Sequence, residues 1–197
     1  HTRPGGAALF VPDSIVETPV ARQDVSFTYA LDRPKGTILL TGARIVTMRG
    51  DEVIEDGAIV VQDGRIVAVG PLASMTIPSG AQTFDAKGTT IMPGIVDAHW
   101  HGGMGSEQLV PENSWINAAS LAFGVTTLHD PSNDSGQIFT VGELQRAGRI
   151  TAPRIFSTGT ILYGAKGDFR ADIDSLGDAV MHLSRMQAYG ANSVKRS

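Results

Sequence analysis

The sequence predicts an α/β chain in which a small β-sheet module precedes a parallel βα series. Three observations predict it. Short runs rich in β-branched residues, divided by turn signals, fill the stretch from Gly36 to about Gly88: "TILLTGARIVTM", "RGDEVIEDG", "AIVVQDG", "RIVAVG" and "QTFDAKG". Beyond Gly88 the texture changes to strand-length apolar runs that alternate with helical spacing, the pattern of a parallel sheet. The chain is 42% hydrophobic and 18% charged, which is enough apolar material for a buried core.

Residues 1–35 are rich in Pro, Gly and polar residues around one strand-like run, "VSFTYAL", and read as a lead-in or interdomain connection. The β module is assigned to residues 36–90. Within it "AIVVQDGRIVAVG" predicts a hairpin, because Asp63-Gly64 tolerates the positive φ angles of a two-residue turn. Residues 91–197 hold the βα series. "IMPGIVDAH" predicts a buried strand, followed by a helix over 113–123 with Ile116, Ala119 and Phe123 on one face. Next come the strand "GVTTLHD", a helix over about 138–147, and the strand "RIFSTG". Asp174 is expected to cap a last helix in which Leu176, Ala179, Val180, Leu183 and Met186 share a face, and Gly190 to end it. "ANSVK" reads as the start of a fourth strand.

A (β/α)8 barrel takes about 250 residues, whereas roughly 105 follow the β module here, so this chain holds about three and a half of eight units. An open doubly wound sheet is the alternative. It would place a nucleotide at a Gly-rich first turn, and "HGGMGSEQ" does not have the G-x-G-x-x-G spacing.

Composition narrows the function. The 16 basic residues are scattered among 20 acidic ones with no Lys/Arg block, so nucleic acid is not an expected partner. No apolar run approaches the roughly 20 residues that span a bilayer, and a membrane is not expected either. Without cysteine there is neither a disulfide framework nor a thiolate zinc site. Any metal must sit on His, carboxylate or an oxygen derived from Lys.

Two of the five histidines, His99 and His101, stand two residues apart at the end of "TTIMPGIVDAHWHGG". Side chains at i and i+2 of a strand point to one side about 7 Å apart. Both imidazoles can therefore turn a nitrogen towards one ion, at the 2.0 to 2.1 Å typical of zinc–histidine bonds, while Trp100 faces the other way. The pair lies at the C-terminal end of the first parallel strand, the face on which barrel enzymes build their sites. Asp97 shares the side of His99 and His101. It can orient the histidines or bond to nearby backbone. His129 and Asp130 end the second strand at the same mouth and could touch substrate, although "DPSND" is also an ordinary turn former. Tyr163 and Lys166 fall on a glycine-rich loop after the third strand, a place for substrate contacts or for a flexible loop. Alternation in "NSVK" sets Ser193 and Lys195 on one side and Val194 on the other; a solvated lysine near a chain end is the plainer reading of Lys195. His182 is expected on the outer, solvated side of its helix, and Met181 and Met186 as packing residues.

"GTTIMPGIVDAHWHGG" resembles the first barrel strand of the amidohydrolase superfamily, and "GARIVTMRGDEVIEDGAIVVQDGRIVAVGP" resembles the small β-sandwich that precedes it in that superfamily. "LAFGVTTLHDPSND" and "APRIFSTGTILYGAKG" are similar to its imidazolonepropionase and prolidase-like branch, in particular to members that carry a TolB-type β-propeller ahead of the hydrolase. The resemblance implies part of the β-sandwich followed by the first half of a (β/α)8 TIM barrel, an N-terminal fragment of the domain. It implies that His99 and His101 hold a metal and that Lys195 is the strand-four lysine, carbamylated and bridging two metals. The expected ions are one or two divalent metals, zinc first. The expected reaction is hydrolysis of a C–N bond in a small amide, cyclic amide or peptide by a metal-activated water, with the isolated fragment inactive and a binder of zinc only weakly. Catalytic roles would fall to Lys195, Asp97, Asp130 and His129. The remaining ligands and the general base would lie outside these 197 residues, and the barrel would be completed by the rest of the polypeptide, by another chain or by an oligomer. The resemblance leans towards a periplasmic or secreted setting. A non-catalytic barrel scaffold is the rival expectation.

Overall fold

The computed structural model describes residues 30–32, 34–105, 109–163 and 170–196. The run "VSFTYAL" up to Tyr29 and the residue Lys166 lie outside them. Among the described residues no helix is long and apolar enough to cross a membrane.

The first sheet contains β1 (Thr37–Val46), β2 (Val53–Gln62), β3 (Arg65–Pro71), β4 (Gln82–Asp85) and β5 (Thr90–Ile91). β1 to β3 are antiparallel in the order β3-β2-β1, while β4 and β5 both pair in parallel with β1. Asp63 and Gly64 turn β2 into β3 with φ of 49° and 74°, as the hairpin requires. The two runs separated at Asp56-Gly57 are one strand. Gly57 stays extended opposite Ala43, beside a register shift in β1, and a β-carbon there would strike the Ile45 side chain. A glycine in a strand here marks a close approach of neighbours, not a turn. Gly57 to Val60 are buried without alternation, so β2 feeds apolar side chains into two clusters: Leu39, Ala58 and Val60 on one side, Ala43, Ile45 and Ile59 on the other.

"IMPGIVDAH" is not one buried strand. β5 ends at Ile91 in the first sheet, and β6 (Ile95–Asp97) opens the second, so Met92-Pro93-Gly94 carries the chain from one sheet to the other. Pro93 has no N–H to give a ladder. Gly94 lies so close to the Thr126 side chain that a β-carbon would collide with it. Ile95 and Val96 are exposed.

The second sheet is parallel, in the order β6-β7-β8, with β7 (Val125–Asp130) at its centre and β8 (Arg154–Ser157) at the far side. α1 (Trp115–Ala122) and α2 (Ser135–Arg146) are its crossover helices. α1 is shorter than its expected range, and Phe123, expected on its buried face, is its exposed C-cap. α2 begins three residues before its expected start, because Asp134 accepts a hydrogen bond from Gln137 N at 2.9 Å and caps the helix. Ile138 and Val141 of α2 pack with Leu128, Ile155, Trp100 and Met104 in the main core.

A short parallel pair, β9 (Ile161–Tyr163) and β10 (Arg170–Asp172), follows, where the sequence suggested a loop. α3 (Leu176–Tyr189) is capped by Ser175, not Asp174: Ser175 Oγ accepts from Asp178 N at 3.1 Å. Gly190 ends α3 with φ 97°, as expected. Of the residues expected to share a face of α3, Met186 is buried and most of the others are not. Leu176 is 82% exposed, Val180, Met181 and Leu183 are exposed too, and the residues turned inward are Met186 and His182, the latter only 4% exposed. His182 is therefore not solvated. Its Nε2 lies 3.1 Å from Thr160 O and its Nδ1 3.1 Å from the Arg185 guanidinium, which satisfies both ring nitrogens and makes burial cheap. The closing residues form one parallel bridge, Leu162 to Arg196, beside β9 rather than a full strand.

Leu128 is fully buried at the centre of the second sheet. Leu128→Ala is expected to lower stability by about 2 to 5 kcal/mol. A urea titration followed by circular dichroism checks this; an unchanged midpoint would contradict the packing described.

Candidate functional site

β6 stops at Asp97, and a turn at Ala98-His99 follows. Asp97 makes that turn: its Oδ1 accepts from His99 N at 3.1 Å, the bond to nearby backbone that was the alternative to orienting the imidazoles. Pairing with β7 resumes at once, since Trp100 N donates to His129 O at 3.0 Å. Trp100 is thereby turned into the core, and His99 and His101 are turned out together. Their rings meet edge to face with centroids 5.0 Å apart. Alternation thus continues past the end of the regular strand.

Gly102 follows immediately. A β-carbon there would overlap the Trp100 ring and come within 2.8 Å of Ile116 Cδ1, so only glycine lets the chain leave the strand over the buried indole.

The turn after β7 supplies the other wall. Asp130 is fully buried; its Oδ1 accepts from Ser132 N at 2.8 Å and its Oδ2 from Asn133 Nδ2 at 2.6 Å. Burial pushes this carboxyl above the usual range of aspartate, opposed by the bonds from Asn133 and Ser132 and by the nearby His101 and His129. His101 Nδ1 lies 3.8 Å from Asp130 Oδ1, too far for a hydrogen bond but close enough for the carboxyl to bias the ring, and 3.4 Å from Ser132 Oγ. Asn133 Nδ2 also donates to Gly102 O at 3.1 Å, which ties the loop after His101 to the loop after Asp130. "DPSND" is thus both a turn former and a wall of the mouth. Ser132 and Asn133 were not singled out in the sequence, where they are indistinguishable from ordinary turn residues.

His129 is half-buried, with Nε2 2.7 Å from Ser193 Oγ. This brings the segment that carries Lys195 to the same end of the sheet, with Leu162 N donating to Lys195 O at 3.0 Å. Tyr163 is half-buried in β9. His182 lies in the α3 contact described above, and Met186 packs there against Ser135 Oγ, whereas Met181 is exposed.

Whether these side chains suit a metal can be judged from the donors themselves. Two adjacent, accessible imidazoles beside a buried carboxyl fit part of a site for a divalent ion of the zinc type. Among the described residues no group of three or more His, Cys, Asp or Glu could hold an ion by itself. An apolar groove of about 610 Å³ on the β module, lined by Ile45, Ile54, Ile66, Val69 and Ile91 among others, includes neither histidine.

Residues 57–76 match the imidazolonepropionase-like composite domain of bacteria. The chain is 35% identical over 103 residues to the adenine deaminase of Paracoccus denitrificans, covering 52% of this chain and 17% of that protein. It is 41% identical over 63 residues to the imidazolonepropionase of Sphingopyxis alaskensis, covering 31% of this chain and 15% of that protein. A prolidase solved with N-methylphosphonate-L-proline superposes with a TM-score of 0.61 at 23% identity, over 82% of this chain and 46% of that one. The solved structures show a shared fold, and the sequence matches cover only part of this chain. The ochratoxinase of A. niger has the same fold, with a TM-score of 0.61 at 17% identity over 81% of this chain and 46% of that one. The chain thus spans less than half the length of these two solved proteins, and about a sixth of the curated relatives.

The double hydrogen bonding of Asp130 makes a stability prediction. Asp130→Ala frees Ser132 N and the Asn133 amide within a buried turn, and is expected to cost about 1 to 3 kcal/mol. Chemical denaturation measures it; a loss below about half a kcal/mol would show that the turn does not depend on the carboxyl.

Proposed function

We propose that the protein catalyses metal-dependent hydrolysis of a C–N bond, in an amide, a cyclic amide or a dipeptide. The carrying observation is the convergence of His99 and His101, 5.0 Å between ring centroids, at the C-terminal end of a parallel strand beside buried Asp130. The parallel βα units form the first part of a (β/α)8 barrel, completed by further polypeptide or another chain. Relatives named as deaminases, imidazolonepropionases and prolidases act on C–N bonds, which supports this reaction class.

His99 and His101 would hold the ion, zinc being the first candidate, and Lys195 would join them once carbamylated. When bound, the ion supplies Lewis acidity that activates water and polarises a carbonyl. Asp130, buried 3.8 Å from His101 Nδ1, would bias that ring electrostatically, with Ser132 Oγ 3.4 Å from the same nitrogen. Asn133 fixes the loop on which His101 sits by holding Gly102 O. Carbamylation would turn Lys195 from a cation that repels metal into an anion that binds it.

Two measurements on the full polypeptide test this. Metal content by elemental analysis and turnover on dipeptides, N-acyl amino acids and cyclic amides should fall together in His99→Ala and His101→Ala. Unchanged metal stoichiometry in the double variant would sink the assignment, and a wild type that binds no metal would favour the scaffold reading. Peptide mass spectrometry under bicarbonate should show one added carbon dioxide at Lys195. A metal-loaded protein with unmodified Lys195 would remove the lysine from the site.

A further inference from the structure

His129 holds two separate segments at once. Its main-chain oxygen accepts from Trp100 N at 3.0 Å, the residue between His99 and His101, and its ring Nε2 lies 2.7 Å from Ser193 Oγ, two residues before Lys195. Its own place in β7 is fixed, because its neighbours Leu128 and Asp130 are both fully buried and it pairs with Phe156 of β8. The segment ending in Lys195 is otherwise joined to the sheet region weakly. Among the described residues its pairing with β9 is one bridge, supported by Leu162 N to Lys195 O. The ring of His129 thus reaches from β7 to steady a segment that β9 holds at one bridge.

We propose that His129 is a positioning residue whose main chain and ring together set the spacing between the His99–His101 turn and the segment carrying Lys195. Its ring is engaged with Ser193 and does not contact substrate. The geometry rests on two hydrogen bonds; its purpose rests on the metal-hydrolase reading above. Either partner can donate in the bond, since a serine hydroxyl both donates and accepts, so the contact survives with either neutral tautomer. Two strands that each bring part of one site need their separation held to within about half an ångström, and a short rigid side chain bonded at both ends does that.

The test uses the full polypeptide with His129→Leu, Ser193→Ala, the double variant, and Ser193→Thr, which keeps the hydroxyl. Amide hydrogen exchange is read at Leu162 and over residues 191–196, zinc affinity by chelator competition, and kcat separately from KM. Each single variant is expected to speed exchange at Leu162 and to weaken zinc binding about tenfold. The double variant should be no worse than the poorer single one, because both remove the same contact. Ser193→Thr should behave as wild type, and kcat should fall while KM changes by less than about twofold. Unchanged exchange in both single variants, or additive effects of the two, overturns the proposal. A raised KM in His129→Leu with normal exchange also overturns it, and makes His129 a substrate contact. If the wild type binds no zinc, the metal reading fails while the exchange measurements still decide whether His129 positions the segment. Ser193→Ala removes one oxygen from a half-buried side chain, so it reports even if His129→Leu does not fold.

Discussion

The buried amide of Asn133 is the contact on which the mouth of this sheet depends. One nitrogen donates to Asp130 Oδ2 and to Gly102 O, so the end of β7 and the loop leaving β6 are held by the same group. Water is excluded there, and a buried amide without partners would cost far more than an exposed one. Each of the other features follows from that restraint. With Gly102 held over Trp100, His101 must stand outward. With Asp130 held by Ser132 and Asn133, its carboxyl stays within electrostatic range of His101 and does not swing into solvent.

Around this centre, small residues decide where chain segments may touch. Gly94 and Gly102 each stand where a β-carbon would overlap a neighbour, Thr126 in one case and Trp100 in the other. They bracket β6 and the histidine pair. Between them Trp100 turns its indole into the core while the two imidazoles face outward. The exposed imidazoles and the buried indole are thus opposite faces of the same short stretch.

Much of this was legible in the sequence where the cause is local. The Asp63-Gly64 hairpin, the Gly190 helix stop and the outward pairing of His99 with His101 each depend on a few adjacent residues, and each is present. Features set by distant partners were not legible. His182 shows no local sign of burial, because what accommodates it includes Thr160 O, 22 positions away in the bend before β9, besides Arg185 one turn along. The break at Pro93-Gly94 was hidden inside an apolar run that reads as continuous, since periodicity does not say that its two halves pair with different sheets. Asn133 looked like any turn residue; only its contact with Gly102, 31 positions away, distinguishes it.

That break also governs how the two sheets can move. Ile91 is hydrogen-bonded into the first sheet and Ile95 into the second, leaving four virtual bonds that span roughly 14 Å at full stretch. A tether this short, stiffened by a proline, transmits a displacement instead of absorbing it. A displacement of the β module larger than that reach would therefore have to carry the base of β6 with it. The module is thus a foundation joined to the mouth through Met92-Pro93-Gly94 alone at this point of the chain.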